Sequence, residues 1–167
     1  MKTPVPPVLP AQAATRLQLW RVAGESIVFT NGVYDLLHRG HVEYLEEARA
    51  LGDRLVVGVN SDASVHRLKG HSRPILPARD RAGLIAALAC VDLAIVFEDD
   101  TPLALIEAIA PDVLAKGADY TLDQIVGREV VEARGGRVER IALRPGMSTS
   151  TLVQRIRDGK SALDPWD

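Results

Sequence analysis

The stretch Ile27-Val-Phe-Thr-Asn-Gly-Val-Tyr-Asp-Leu-Leu-His-Arg-Gly-His41 decides the fold, because its apolar pattern changes from that of a strand to that of a helix. Ile27-Val-Phe29 is an unbroken run of strand-forming residues. The dipeptide Asn31-Gly32 is a turn signal that ends this run. From His41 onward, apolar residues recur at helical spacing and acidic residues occupy the other side. The pattern predicts a strand, a glycine turn and a helix, which is the first unit of an α/β fold.

Two histidines stand at the predicted start of this helix. His38 and His41 are three residues apart with Gly40 between them, so they share a face of the first helical turn. A helix N-terminus offers free N–H groups and the positive end of a dipole, which suit a phosphate. The imidazoles add donors, and Gly40 lets the backbone approach a ligand closely. The turn therefore predicts a polyphosphate site. The alternative is a pair of helix-capping histidines without a ligand.

Composition excludes several classes of protein. The chain has 167 residues, 47% of them apolar, and a net charge of −2, so we expect a full core and no nucleic-acid partner. A single cysteine, Cys90, lies in an apolar run, which is typical of a core residue and not of a disulfide framework. No apolar stretch approaches the roughly 20 residues that span a bilayer, and no signal-peptide pattern opens the chain. We expect no membrane association and a cytoplasmic location.

Strands and helices alternate along the chain. The patterns predict strands at 27–29, 55–60, 91–97, 113–116 and 138–143, and helices at 11–22, 41–51, 79–90, 101–110, 129–134 and 151–157. This alternation indicates a parallel sheet with helices on both faces and right-handed crossovers. We divide the chain into an N-terminal tail and helix at 1–24, one domain at 25–160, and a loose C-terminal tail at 161–167.

Three polar segments are candidates for ligand binding. Asn60-Ser-Asp62 follows the second strand, at the sheet edge where α/β folds bind ligands. Residues 64–77 are predicted to form a loop, and their cations suggest a mobile lid over phosphates; the alternative is a solvated loop. Its potentially cationic side chains are His66, Arg67, Lys69, His71 and Arg73. Ser148-Thr-Ser150 offers hydroxyls and N–H groups to phosphate oxygens, or a simple N-cap.

The segment Gly32-Val-Tyr-Asp-Leu-Leu-His-Arg-Gly-His41 resembles the HxGH motif of the nucleotidyltransferase superfamily of cytidylyltransferases and their adenylyl-transferring relatives. Within that superfamily, the chain is most similar to the heptose 1-phosphate adenylyltransferases, which make ADP-heptose for lipopolysaccharide. The resemblance extends from about Ile27 to Arg157. It implies a Rossmann-like, five-stranded parallel sheet of order 3-2-1-4-5, with ATP and a sugar 1-phosphate as substrates.

The resemblance also implies roles for individual residues. It assigns catalysis to His38, His41 and Lys69, and a Mg²⁺ ion to Asp35, which could instead brace the loop. It assigns nucleotide binding to Thr30, Asn31, Gly32, Tyr34, Gly40, Lys116, Asp119, Arg144, Ser148, Thr149 and Ser150. It assigns substrate binding to Asn60, Ser61, Asp62 and Arg73. The spacing from Arg144 to Ser148 looks shorter than in relatives, which weakens that one assignment.

Other functions stay open at this point. The resemblance and the apolar content indicate a homodimer or a higher homo-oligomer. Bifunctional relatives also carry a sugar kinase domain, for which 167 residues leave no room, so we expect a separate kinase upstream. The alternatives are a cytidylyltransferase of the glycerol 3-phosphate type and a non-catalytic nucleotide-binding module. A dehydrogenase is discounted because G-x-G-x-x-G is missing after the first strand, and a zinc site because no third Cys or His ligand is evident.

Overall fold

A five-stranded parallel sheet of order β3-β2-β1-β4-β5 carries the structure, a computed structural model that describes residues 10–161. Its strands are β1 Ile27–Gly32, β2 Arg54–Asn60, β3 Leu93–Phe97, β4 Val113–Gly117 and β5 Arg137–Ile141. All four pairings between neighbouring strands are parallel. The predicted α/β fold and its strand order are confirmed. The predictions made for residues 1–9 and 162–167 lie outside the described residues.

Helices cover both faces of the sheet. They are α1 Ala11–Val22, α2 Arg39–Arg49, α3 Asp62–Lys69, α4 Ala78–Ala86, α5 Leu103–Ile109, α6 Arg128–Ala133 and α7 Thr149–Arg157, with a short 3₁₀ turn at Leu122–Gln124. Between residues 10 and 161, no helix combines the length and apolar character that crossing a membrane requires.

The loop predicted at residues 64–77 is wrong in its first half, where α3 runs to Lys69. Ser61 is the N-cap of this helix, and its side chain accepts a hydrogen bond from the N–H of Ser64 at 3.2 Å. Three basic residues in the last turn oppose the negative end of the helix dipole. Gly70 ends the helix with a φ of 89°, which suits a glycine. Three of the five side chains predicted to lie in a loop over phosphates, His66, Arg67 and Lys69, therefore belong to the end of a helix.

Strand β1 lies in the middle of the sheet, and both of its faces are buried. Phe29 packs in one apolar layer with Leu17 of α1 and Ile106 of α5. Val28 packs in the other with Leu45 of α2 and residues of α4 and β2. This two-sided burial explains why the first half of β1, Ile27-Val-Phe29, is continuously apolar and does not alternate. It also fixes the carboxyl end of β1 at the centre of one sheet edge.

Arg81 of α4 is the largest fully buried side chain, and it joins three segments. Its Nη1 donates to the carbonyl of Val33 at 2.6 Å, and its Nε donates to the carbonyl of Leu76 at 2.9 Å. Its Nη2 donates to Oδ1 of Asp62 at 2.8 Å. A buried charge is tolerated when it is paired and hydrogen-bonded in this way. The guanidinium thus links the turn after β1, the start of α3 and the segment before α4.

Replacement of Arg81 by lysine should destabilise the fold. A single ammonium cannot reproduce the fork of donors, so buried acceptors lose partners and the free energy of unfolding falls by about 2–4 kcal/mol. Urea unfolding measures the loss. Arg79→Lys, at an exposed position of the same helix, is the matched control and should change stability little. Equal stabilities for the two variants would contradict the role given to Arg81.

Candidate functional site

A cleft of about 610 Å³ opens at the carboxyl ends of β1, β2 and β4. Its wall includes Asn31 and Gly32 from the end of β1, Asn60 from the end of β2, and Lys116 and Gly117 from the end of β4. Strand β1 pairs with β2 on one side and with β4 on the other, so the crevice lies where the strand order reverses. Open α/β sheets bind their ligands at this position, and the volume suits a small molecule.

Most residues predicted for the site line this cleft. They are Asn31, Gly32, Tyr34, Asp35, His38, Gly40, His41, Asn60, Lys69, Arg73, Lys116, Asp119, Arg144, Ser148, Thr149 and Ser150. The other three serve local structure. The Oγ1 of Thr30 is buried 2.8 Å from the hydroxyl of Tyr44. Ser61 caps α3, and Asp62 accepts bonds from Arg81 and from the N–H of Ala78.

The two imidazoles of His38 and His41 are stacked at the start of α2. Their ring centroids are 3.7 Å apart, and the ring of Tyr34 meets that of His41 edge-on. A Cβ at Gly40 would lie 3.1 Å from Nδ1 of His38, so this glycine makes room for the folded-back ring. His38 occupies the N-cap position of α2, but its side chain makes no capping hydrogen bond. The capping alternative therefore finds no support.

Three imidazole nitrogens of this pair are buried and have no hydrogen-bond partner within residues 10–161. They are Nδ1 and Nε2 of His38 and Nδ1 of His41. Buried polar atoms are almost always bonded, so open donors or acceptors inside a cleft point to a ligand that completes them. The stacked pair is the clearest sign that the cleft is built for a polar molecule.

Burial keeps both imidazoles neutral near pH 7. Burial, with a smaller effect from the neighbouring His38, lowers the pKa of His41 to about 4. Burial also lowers the pKa of His38. A neutral imidazole has one N–H donor and one acceptor nitrogen. The pair therefore offers an anion directed N–H donors and no full charge of its own.

Four cationic side chains surround the pair, and they differ in their partners within the described residues. Burial lowers the pKa of Lys116 to about 8, and its Nζ donates to Oδ1 of the neutral Asn31. Arg144 donates to Oε1 of Glu43 at 2.6 Å, in an exposed ion pair. Lys69 makes no side-chain hydrogen bond or ion pair with residues 10–161. The fourth, Arg73, pairs with a buried carboxylate.

That carboxylate is Asp35, which was assigned to Mg²⁺ or to bracing the loop. Its oxygens accept from Nε of Arg73 at 2.5 Å and from the N–H groups of Ile75 at 2.7 Å and Leu76 at 3.0 Å. No group of three His, Cys, Asp or Glu side chains in residues 10–161 could hold a metal ion. The contacts of Asp35 agree with the bracing role, and its role as a Mg²⁺ ligand stays a prediction.

The Ser148-Thr-Ser150 segment opens α7 at the rim of the cleft. Ser148 is the N-cap, and its Oγ accepts from the N–H of Thr151 at 3.0 Å. The predicted capping role is present, and all three residues of the segment line the cleft. A helix start beside stacked imidazoles gives the cleft a second group of N–H donors.

Comparison with known proteins identifies the family. A model of the family described as cytidylyltransferase-like matches residues 29–161. The chain belongs to this family of nucleotidyltransferases. It is 58% identical over 146 residues to the bifunctional protein HldE of Magnetococcus marinus, and the aligned region covers 87% of this chain and 30% of that protein. HldE of Geobacter sulfurreducens is 56% identical over 136 residues, with coverages of 81% and 28%.

A solved structure agrees with these relatives. The lipopolysaccharide core biosynthesis protein from Thermoplasma volcanium superposes with a TM-score of 0.60 and 33% identity, over 72% of this chain and 98% of that one. The chain spans about 30% of the length of the curated relatives it matches. The likeness therefore concerns this nucleotidyltransferase domain and not the whole of HldE.

Sequence analysis missed several residues that line this cytidylyltransferase-like cleft or contact its lining. Glu43 forms ion pairs with both Arg144 and Arg39. Only the pair with Arg39 can be recognised in the sequence, because those two residues are four positions apart in a helix. Tyr120, Leu143 and Met147 add apolar surface where the loops after β4 and β5 meet. No local pattern marks these three, because their loops approach one another only in the folded chain.

Gly40→Ala should slow nucleotidyl transfer by displacing His38. The added methyl would press on the imidazole, and a shift of a few tenths of an ångström should lower the rate of pyrophosphate release roughly tenfold. Gly83→Ala is the matched control, because a Cβ at this helical glycine meets nothing within 4 Å. A rate unchanged in both variants would show that the placement of His38 is unimportant.

The buried ammonium of Lys116 predicts a pH dependence of nucleotide binding. Its pKa is about 8 in the free protein, so its charge is lost as pH rises through that value. Bound phosphate favours the charged form, so affinity for ATP should fall above pH 8 by up to about tenfold per pH unit and level off below it. Calorimetric titrations across this range measure the slope. Lys116→Met should bind more weakly and without the slope; a variant that retains it would contradict the assignment.

Proposed function

We propose that the protein transfers AMP from ATP to heptose 1-phosphate, giving ADP-heptose and pyrophosphate. The observation that carries the proposal is the pair of neutral, stacked imidazoles whose buried nitrogens have no partner within residues 10–161. The family supports nucleotidyl transfer, and the similarity to HldE and to a lipopolysaccharide core biosynthesis protein supports the heptose. A sugar kinase activity must supply the acceptor, which already carries its phosphate.

The transfer requires no protein nucleophile. An oxygen of the sugar 1-phosphate attacks the α-phosphorus of ATP, the bond from that phosphorus to the bridging oxygen of the β-phosphate breaks, and pyrophosphate leaves with the electron pair. The protein contributes alignment of the two phosphates and stabilisation of charge that develops on their oxygens. His38 and His41 would donate N–H groups to oxygens of the α- and β-phosphates. Because both are neutral near pH 7, each imidazole offers one N–H donor and adds no full charge to the site.

The cations would divide between the two substrates. Lys116 at the end of β4, Arg144 in the loop after β5 and the start of α7 line one side of the cleft, and we assign them to the triphosphate. Lys69 and Arg73 lie at the end of α3 and just beyond it, and we assign them to the acceptor phosphate. Exposed ion pairs such as that of Arg144 are worth about 0–1 kcal/mol, so a phosphate can displace the carboxylate.

Recognition of the sugar would rest on fewer residues than the sequence indicated. Ser61 caps α3 and Asp62 bonds Arg81, so Asn60 is the residue of the segment Asn60-Ser-Asp62 that lies on the cleft wall. Its Nδ2 donates to Oγ of Ser64, so the carbonyl oxygen of its amide is the group available to a sugar hydroxyl. A Mg²⁺ requirement enters the proposal only as an ion carried by the phosphates of the nucleotide, and no step is assigned to it.

A substrate screen tests the proposal. The protein is incubated with Mg²⁺, with ATP, CTP or GTP, and with heptose 1-phosphate or glycerol 3-phosphate, and pyrophosphate release is measured. We expect ATP with heptose 1-phosphate to be the fastest pair. A faster reaction of CTP with glycerol 3-phosphate would overturn the heptose assignment and keep the transferase. Binding of ATP without pyrophosphate release from any pair would favour a non-catalytic module.

His41→Ala should lose most turnover while the fold persists. Loss of one preorganised donor typically lowers the rate by about 10²–10³-fold. His71→Ala, at an exposed position beyond α3, is the matched control, and its turnover rate should be close to that of the unmodified protein. Near-normal turnover of His41→Ala would remove this imidazole from the mechanism.

A further inference from the structure

Two buried ionised side chains hold residues 73–76 against the turn after β1. Oδ1 of Asp35 accepts the N–H groups of Ile75 and Leu76, and its Oδ2 accepts Nε of Arg73. Arg81 bonds the carbonyl of Leu76 and the carbonyl of Val33 in the same turn. Residues 73–76 are therefore held by hydrogen bonds of the Arg73 side chain, of two backbone N–H groups and of the Leu76 carbonyl. This contact disagrees with a lid that opens along all of residues 64–77.

The bond between Asp35 and Arg73 leaves the outer edge of the guanidinium open. The side chain of Asp35 is fully buried, and that of Arg73 is 18% exposed and lines the cleft. Asp35 takes Nε, whereas Nη1 and Nη2 of Arg73 make no hydrogen bond with residues 10–161. A guanidinium has five donors in a fixed fork, so holding Nε fixes the direction in which the remaining N–H groups point.

We propose that Asp35 is a positioning residue that orients Arg73 to bind the phosphate of the acceptor substrate. The carboxylate lies behind the guanidinium, and Arg73 presents its two Nη groups to two oxygens of one phosphate. Because the segment is tied down before substrate arrives, little order has to be gained at this subsite on binding. The inference rests on the proposed transfer to a sugar phosphate, and it is an alternative to the assignment of Asp35 to a metal.

Amide hydrogen exchange tests the positioning without any turnover. Asp35→Ala should raise the exchange rates of the Ile75 and Leu76 amides at least tenfold, because they lose their acceptor. Asp35→Asn keeps one amide oxygen for them and should raise the rates less. Arg73→Ala should leave both amides protected. Unchanged exchange in Asp35→Ala would overturn the proposal, as would equal loss of protection in Arg73→Ala.

Kinetics then separate positioning from metal binding. Asp35→Asn and Arg73→Ala should each raise the KM for heptose 1-phosphate about 10–100-fold, with the KM for ATP and the half-activating Mg²⁺ concentration unchanged within about twofold. The double variant should be no worse than Arg73→Ala, because both changes remove one interaction. A raised Mg²⁺ requirement in Asp35→Asn, or additive losses in the double variant, would overturn the proposal. Arg79→Ala, at an exposed site, is the control.

Two further experiments distinguish a failure of this proposal from a failure of the proposed function. Arg73→Lys retains a positive charge but not the planar set of guanidinium donors, so it should lose affinity for the acceptor as Arg73→Ala does. Full retention of affinity in Arg73→Lys would contradict the proposal, and this result does not depend on whether Asp35→Asn folds. If the unmodified protein shows no turnover with any substrate pair, the proposed function fails. Calorimetric binding of heptose 1-phosphate to the unmodified protein and to Arg73→Ala, with the exchange data, still decides the role of Asp35.

Discussion

The cleft depends on the hydrogen bonding of one buried cation. Arg81 has no exposed surface, so its guanidinium must find acceptors inside the protein, and it finds them at Val33, Leu76 and Asp62. These acceptors belong to three different connections around the carboxyl edge of the sheet. None of the three can move far without leaving a buried charge unpaired, which costs several kcal/mol. The shape of the cleft where these connections meet, the end that we assign to the acceptor phosphate, follows from this constraint.

The cations of the cleft differ in how easily they can exchange partners. Arg144 is paired with Glu43 in an exposed position, and Lys116 is bonded to the neutral Asn31, so both can turn to a phosphate at small cost. Arg73 is paired with a fully buried carboxylate that also holds two backbone N–H groups, and it should keep this partner when substrate binds. The side of the cleft that we assign to the triphosphate can therefore adapt to its ligand, whereas the side that we assign to the acceptor phosphate is preformed. That difference suits an enzyme that must align one phosphate against another to within fractions of an ångström.

Sequence reasoning succeeded where local patterns carry the information. The apolar runs of β1 and β2 and the regular alternation of elements predicted the sheet, and the HxGH segment predicted where its cleft would be. It was wrong for residues 64–69, although Ser61 and Gly70 mark the ends of α3, because a cluster of cations was given more weight than the caps. It missed Arg81, whose partners lie 5, 19 and 48 residues away, and no local pattern reveals that an arginine is buried. The contact between Asp35 and residues 73–76 is equally a product of tertiary packing, although bracing was one of the two roles considered.

We infer that the neutral pair His38 and His41 binds the phosphates of the nucleotide. Nitrogen-15 NMR of the imidazoles during an ATP titration tests it directly, because the chain has only four histidines to assign. We expect the signals of the ring nitrogens of His38 and His41 to shift on binding, with both rings remaining neutral near pH 7, while those of the exposed His66 and His71 change less. Saturation with ATP that leaves the signals of His38 and His41 unmoved would contradict it.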